Sequence, residues 1–308
     1  MTTLILALAP VFLVILTGWA ARVTRAVPVD AWGGINRLAY NVLAPTYMFT
    51  EIMRADLSFE GVSFIFAAVL GFMAMGVIGF ALLPLARGDR SAFASAHQGA
   101  LRWNAFVTLA ASAALLGPQG SALVALIMGP TIPIVNVITV SVHARWGHGQ
   151  NPSLVGILRS LAANPLIIAC VSGFVINLIG LRLSGVPADF AGVIGRGALG
   201  VTLMCVGAGL DLRSIAARPT LMVSAVFMRL VVSPAIFIGL GLLGGLDGLH
   251  LACLALIGAA PSPPAGYILT REMGGDPRFM AGHITATTIL SALAMPLVLA
   301  LSERLVPI

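Results

Sequence analysis

The residues best placed to do chemistry lie where polar and helix-breaking types interrupt apolar runs. The stretch Ala259-Ala260-Pro261-Ser262-Pro263-Pro264-Ala265-Gly266 cuts into an otherwise apolar Leu249–Thr270. Those 22 residues are enough to cross a bilayer core of about 30 Å at about 1.5 Å per residue. Three prolines in four residues remove backbone donors and clash with preceding carbonyls, so the sequence predicts a broken helix. In lipid, broken backbone survives only where protein or a water-filled cavity covers it, and in carriers such breaks mark the binding site. A helix merely kinked for packing is the plainer alternative, but a single proline would suffice for it. Ser262 is expected to cap a new half-helix with Pro263 at its first position. The positive end of that half-helix would suit an anionic group such as a carboxylate.

The second constellation is Asn104, Thr108 and Ser112, spaced i, i+4, i+8 on one face of the least hydrophobic apolar run, His97–Leu116, which also carries Gln98 and Arg102. A polar face inside a membrane must point at protein or water. Interhelical hydrogen bonding by small polar residues is the plainer account of it. Arg102 and Arg229 add charge within apolar runs, where an arginine is costly and suggests a role in binding or gating; a fixed pair with a carboxylate is the alternative. Asn41 and Pro45 place a further polar group and helix breaker in another run, where Pro45 is read as shaping a cavity wall. The run Gly207-Ala208-Gly209 is read as close helix packing.

Other chemistry is less well supported. Asp211, Glu272, Asp276, Glu51, Asp56 and Glu60 sit near the ends of apolar runs, which disfavours a simple carboxylate proton relay. His143 and His148 are read as solvated or headgroup-facing. Cys170, Cys205 and Cys253 stand singly, without metal-ligand spacing or a disulfide framework. No nucleophile–base or metal constellation stands in mid-run, so an enzyme is not expected, nor is a cofactor.

The elements that must position these residues follow from composition. With 59% hydrophobic and 9% charged residues and a mean hydropathy of +1.02, the chain is no soluble globular domain, which would carry about 25% charge. It is expected to be an all-α integral membrane protein of ten transmembrane helices, at about 4–21, 34–53, 60–83, 97–116, 120–142, 161–180, 192–210, 219–243, 249–270 and 280–301. The net charge of +6 is then read through the positive-inside rule and not as a nucleic-acid footprint. Arg22, Arg25, Arg87, Arg90, Arg145, Arg159, Arg213, Arg218, Arg271 and Arg278 follow odd-numbered spans, against only Arg54, Arg182 and Arg304 elsewhere between spans and at the C-terminus. Ten against three places the odd loops in the cytoplasm and both termini outside. The first span lacks a basic leader and is read as retained.

Ten spans divide into two halves of five, and an odd number per half makes the second half enter the membrane inverted. Ile35-x-Arg37-x-Ala39 recurs as Ile194-x-Arg196-x-Ala198, 159 residues on; the same spacing separates Arg102-Trp103-Asn104 from Pro261-Ser262-Pro263. Spans 4 and 9 are thus expected to be the pair that meets. The expected organisation is a first repeat over 1–142, a cytoplasmic linker over 143–160 and a second repeat over 161–308. Within the linker, Leu154–Leu161 with Arg159 is read as a short interfacial helix, and Asn151-Pro152 and Asn164-Pro165 as N-caps followed by a first-turn proline.

At these residues the chain resembles the auxin efflux carrier family, which includes the plant PIN-FORMED carriers and bacterial malonate-type permeases. The matching motifs run in order: Leu43-Ala44-Pro45, Arg102-Trp103-Asn104 with Gly117, Asn164-Pro165-Leu166, Val206-Gly207-Ala208-Gly209-Leu210, Arg229-Leu230 with Pro234, Ala260-Pro261-Ser262, and Thr288-Ile289-Leu290-Ser291 with Met295-Pro296-Leu297. The resemblance implies two inverted five-helix repeats, a scaffold and a transport domain, elevator-like alternating access, and broken spans 4 and 9 crossing beside the substrate, usually an organic anion. By that carry-over Asn104 and Pro261–Pro264 line the site, with Asn41 and Pro45 nearby. One departure stands out: the family commonly has a proline after the asparagine of span 4, whereas Phe106–Leu116 contains none. Together these readings make the chain a secondary transporter of small carboxylates in a plasma (bacterial inner) membrane. Its candidate substrate-binding residues are Asn104, Arg102, Thr108, Asn41, Pro45, Pro261, Ser262, Pro263 and Arg229. A passive channel, or a carrier of a non-carboxylate solute, is the alternative. Coupling to a proton or to sodium stays open, membrane lipid surrounds the spans, and a homodimer is implied by the resemblance alone.

Overall fold

The structure, a computed structural model, describes residues 2–54, 59–147, 156, 159, 162–181 and 183–307. Among them every regular element is helical: α1 (Thr2–Val23), α2 (Ala31–Leu38), α3 (Ala44–Arg54), α4 (Phe59–Ile78), α5 (Arg90–Leu101), α6 (Ala105–Trp146), α7 (Pro165–Leu178), α8 (Val186–Ala208), α9 (Pro219–Phe227), α10 (Ser233–Leu243), α11 (Gly248–Gly258), α12 (Ala265–Glu272) and α13 (Pro277–Leu305). Six helical stretches of the described residues are long and apolar enough to cross a membrane: Thr2–Val23, Gly61–Leu82, Arg90–Trp146, Val186–Ala208, Pro219–Leu243 and Pro277–Leu305. Pro165–Leu178 and Gly248–Gly258 are apolar but shorter. Length and apolarity alone mark six crossings.

The interruptions have local causes. A π-helical turn, Ala39–Leu43, joins α2 to α3 just before Pro45, and another, Met228–Val232, joins α9 to α10 just before Pro234. Proline cannot donate to the carbonyl four residues back and its ring crowds that carbonyl, so the preceding turn widens. In α6 the helical path kinks at Gly117, whose φ of 70° and ψ of −163° a side chain would resist, and Pro118 opens the next helical stretch. Pro277 opens α13 in the same way, 159 residues later. Asn164 caps α7, its side chain accepting from the Leu166 and Ile167 amides at 2.9 and 3.4 Å, with Pro165 in the first turn as expected.

Packing follows a crossed pattern. α1 lies along α8, and α7 lies along α3. The first of these contacts is backbone to backbone: a Cβ on Gly207 would fall 1.7 Å from the Ile15 carbonyl oxygen, so only glycine fits. That is the close packing the sequence suggested for this run. The largest buried cluster joins α4, α5, α6, α10 and α11 and includes Phe64, Phe72, Phe93 and Phe237. Large apolar side chains such as Leu6, Phe66, Val77, Val186 and Leu243 are exposed instead, as suits a hydrocarbon surround.

Polar contacts gather at the two ends of the bundle. At one end Asp89 caps α5 through the Ala92 amide and Asp276 caps α13 through the Phe279 amide, at 3.0 Å each. Arg218, immediately before α9, bridges both carboxylates, meeting Asp276 at 2.9 Å. Burial pushes the Asp89 carboxyl up, but the Ala92 amide, the Ser91 hydroxyl and Arg218 outweigh it and hold the group below its ordinary range. Arg22 donates to the Ala208 carbonyl at 2.8 Å, at the C-terminal end of α8. The loops after expected spans 1, 3, 7 and 9 therefore share one end. At the other, Ser121 donates to Glu51 at 2.6 Å and Asn177 to the Ile52 carbonyl at 2.8 Å.

One reading is corrected here. His143, read as solvated, is buried, its Nδ1 lying 3.1 Å from the Thr139 carbonyl of its own helix, because α6 continues to Trp146 and packs that turn inside. The linker helix expected at Leu154–Leu161, apart from Gly156 and Arg159, and His148 lie outside the described residues.

Candidate functional site

The two interrupted segments meet. α5 ends at Leu101, α6 begins at Ala105, and the residues between are extended, with Arg102 at φ −74°, ψ 142° and Asn104 at φ −87°, ψ 93°. No proline is needed for this break. Asn104 makes it by capping α6: its Oδ1 accepts from the Phe106 and Val107 amides at 3.2 and 3.3 Å. The break thus lies on the N-terminal side of the asparagine, and the helix runs unbroken from Ala105 through Ala111. The Asn104 amide donates to the Pro261 carbonyl at 2.7 Å, tying one break to the other.

The second break separates α11 from α12, but its cap differs from the expected one. Ser262 does not cap the half-helix; α12 starts at Ala265 after Pro264, with no side-chain cap. Pro264 carries no N–H, so one of the two amides that a serine cap at 262 would meet is missing. Ser262 turns instead to its neighbours. Its hydroxyl donates to the Gly99 carbonyl at 2.6 Å, its amide donates to Thr287 Oγ1 at 3.1 Å, and its Oγ lies 3.2 Å from His283 Nδ1. Gln98 adds a further stitch, donating from Nε2 to the Gly266 carbonyl at 2.6 Å.

A cavity of about 940 Å³ lies against this crossing. Of the nine expected residues, Asn104, Arg102, Asn41 and Pro263 line it; Thr108, Pro45, Pro261, Ser262 and Arg229 do not. Thr108 and Ser112 are buried and turn their hydroxyls back onto the Asn104 and Leu109 carbonyls at 3.0 Å. Pro45 acts at one remove, through the π turn that carries the cavity-lining Tyr40 and Asn41. The lining also includes Asn36, Arg37, Asn136, Thr202 and Glu272, which the sequence reading did not select for the site. Arg37 stands in the 159-residue repeat, and Asn136 follows closely on Pro130 and Pro133 within an apolar run. Glu272 reads from the sequence as a carboxylate at the end of a span.

Electrostatically the two faces of the crossing differ. Ala105 and Ala265, the first residues of α6 and α12, both line the cavity, so two half-helix N-terminal ends border it. Arg37 and Arg102 line it with them and make no ion pair among the described residues. Asn104 Nδ2 is buried and has no hydrogen-bond partner. Two cations, two positive helix ends and an uncommitted side-chain amide donor outnumber the one lining carboxylate, Glu272, and are a chemistry for holding an anion. Among the described residues no group of three His, Cys, Asp or Glu side chains is placed to hold a metal ion.

Behind the crossing sits Arg229, fully buried in the π turn before α10. Its Nε donates to the Ala260 carbonyl at 2.7 Å, one terminal nitrogen reaches the Ile257 and Gly258 carbonyls at 2.5 and 3.1 Å, and the other reaches Leu101 at 3.5 Å. It binds the C-terminal carbonyls of α11 and α5, the groups a broken helix leaves without partners. The sequence suggested substrate or gating; the contacts are with backbone.

The sequence model of the membrane transport protein family matches residues 3–146 and 150–299, nearly the whole chain. The chain belongs to the auxin efflux carrier family. It is also 24% identical over 297 residues to an uncharacterized transporter of Methanothermobacter thermautotrophicus, covering 93% of this chain and 94% of that one. The protein is therefore an integral membrane protein of a transporter family. Three of the motifs on which the resemblance rests build the crossing: Arg102-Trp103-Asn104, Ala260-Pro261-Ser262 and Arg229-Leu230.

Proposed function

We propose that this protein is a secondary carrier of small organic anions, carboxylates foremost, working by elevator-type alternating access. The observation that carries the reading is the convergence on one cavity of two half-helix N-terminal ends, Arg37, Arg102 and Asn104, whose side-chain Nδ2 has no partner, against the single carboxylate of Glu272. A carboxylate placed there gains charge-assisted hydrogen bonds that a neutral solute does not. Asn104, Arg102, Asn41 and Pro263 are proposed to contact the substrate, and Pro261 and Ser262 to hold the crossing in shape.

The architecture proposed is ten membrane crossings in two inverted five-helix repeats. Three observations support it. The 159-residue spacing relates the two breaks and also Pro118 to Pro277. Span 1 packs on span 7 as span 6 packs on span 2, the exchange an inverted pair predicts. The arginine-rich loops collect at one end, joined by Arg218 and Arg22, which supports a cytoplasmic face there and outward termini. Gly33, Glu272 and Met273 extend the cavity lining toward that end, so the state described is read as inward-facing.

Uptake of radiolabelled mono- and dicarboxylates into proteoliposomes tests the function. Saturable uptake of one acid, blocked by unlabelled competitor, is the expected result. Conductance without saturation or exchange would make the protein a channel, and uptake of a neutral solute alone would remove the anion site.

A further inference from the structure

The crossing brings together two kinds of helix end, and only one kind faces the cavity. The C-terminal ends of α5 and α11 point away from it and converge on Arg229. Leu101, Ile257, Gly258 and Ala260 turn their carbonyl oxygens to one guanidinium within 2.5–3.5 Å. In secondary carriers with broken helices, unwound carbonyls and half-helix C-terminal ends are the groups that coordinate a monovalent coupling cation. Here a side chain occupies that cage. A guanidinium stays charged under all ordinary conditions, is weakly hydrated and carries five donors in a fixed fork, so it serves several carbonyls at once.

We propose that Arg229 is a resident cation of the crossing: it fills the carbonyl cage between the two broken helices, and transport is not driven by a sodium ion bound there. The arginine is thereby a positioning residue. It lends the positive charge that a carrier of another design takes from solution, and it holds the α5 and α11 ends together in every state of the cycle. The carbonyls themselves show the need. At the end of α11 the Ala255 carbonyl is met by the Ala259 amide, whereas Gly258 and, just beyond the helix, Ala260 have Arg229 as their donor, and Ile257 accepts from Arg229 as well as from the Ala260 amide at a long 3.4 Å. In α5 the Gln98 carbonyl is met by the Arg102 amide and Gly99 by Ser262, which leaves Leu101 to Arg229. Removing the guanidinium leaves buried carbonyls that a small cation from solution can satisfy.

The test does not need the transported anion. Melting temperatures of the purified full-length protein are measured in sodium, potassium and choline chloride at equal ionic strength. Wild type is expected to melt at the same temperature in all three. Arg229→Met is expected to melt several degrees lower and to recover part of that loss in sodium chloride or low-millimolar guanidinium chloride, but not in choline chloride. Arg229→Lys keeps the charge and is expected to retain most of the wild-type melting temperature without cation dependence. Saturable stabilisation of wild type by sodium would overturn the proposal. So would equal losses in the Lys and Met variants, which would reduce Arg229 to packing. Because no substrate enters these measurements, their failure leaves the anion-carrier reading standing, and failure of that reading leaves the cage intact.

Discussion

Asn104 performs two jobs with opposite ends of one amide, and the pair Asn104→Asp and Asn104→Ala separates them. Its Oδ1 caps α6 at 3.2 and 3.3 Å, while its Nδ2 is a buried, unpartnered donor on a residue that lines the cavity. Aspartate caps a helix about as well as asparagine, whereas alanine at an N-cap costs about 1 kcal/mol. Asn104→Asp should therefore leave the melting temperature near wild type, and Asn104→Ala should lower it. Both lose the donor. A hydrogen bond to a charged ligand is worth about 1.5–3 kcal/mol, which converts to a roughly 10- to 150-fold rise in KM for a carboxylate. The aspartate adds like-charge repulsion and should be the worse of the two in transport while the better in stability. Proteoliposome uptake at varied substrate concentration, beside a melting curve for each variant, reads both quantities. An Asn104→Asp protein with the wild-type KM would refute the argument, because a carboxylate cannot stand beside a bound anion without cost.

Other consequences follow from the same geometry. Arg102→Gln and Arg37→Gln should each raise KM for anions severalfold with little change in melting temperature, and the Arg37 effect should shrink at high salt, since that side chain is exposed. Gly207→Leu should disrupt the contact between α1 and α8, lowering stability by about 1–3 kcal/mol or more, because its first side-chain atom collides with the Ile15 carbonyl. Arg218→Gln should cost no more than about 1 kcal/mol, the usual worth of an exposed ion pair, and the loss should fade with added salt. Asp89 has a depressed folded-state pKa, so its contribution is present above its ordinary value and is lost as pH falls through the folded one. Melting curves below about pH 4 should therefore show a loss in wild type that Asp89→Asn lacks.

Much of this was readable from the chain. Pro261, Pro263 and Pro264 announce a break because proline acts on its own helix, whatever surrounds it. Asn104 could be singled out because an asparagine in an apolar run needs a reason, and its N-cap geometry is local too. The details that depend on distant partners were not legible. Ser262 looks like a cap by its position, but Pro264 removes one of the two amides a cap would meet, its hydroxyl proton goes to the Gly99 carbonyl and its oxygen faces His283. Arg229 looked like a ligand by its cost; its partners lie 28 to 128 residues away in sequence, and only the fold reveals that they are carbonyls. Arg37 reads from the sequence as part of the 159-residue repeat and Glu272 as the charged end of a span, and only the fold brings both to the cavity wall.

The most direct test of the central claim is counterflow in proteoliposomes loaded with an unlabelled carboxylate, tracing entry of the labelled acid for wild type and Asn104→Asp. A carrier with its anion site at the crossing shows saturable accumulation in wild type and at least a tenfold higher KM in the variant. Equal, saturable counterflow by both proteins would place the anion somewhere other than this crossing.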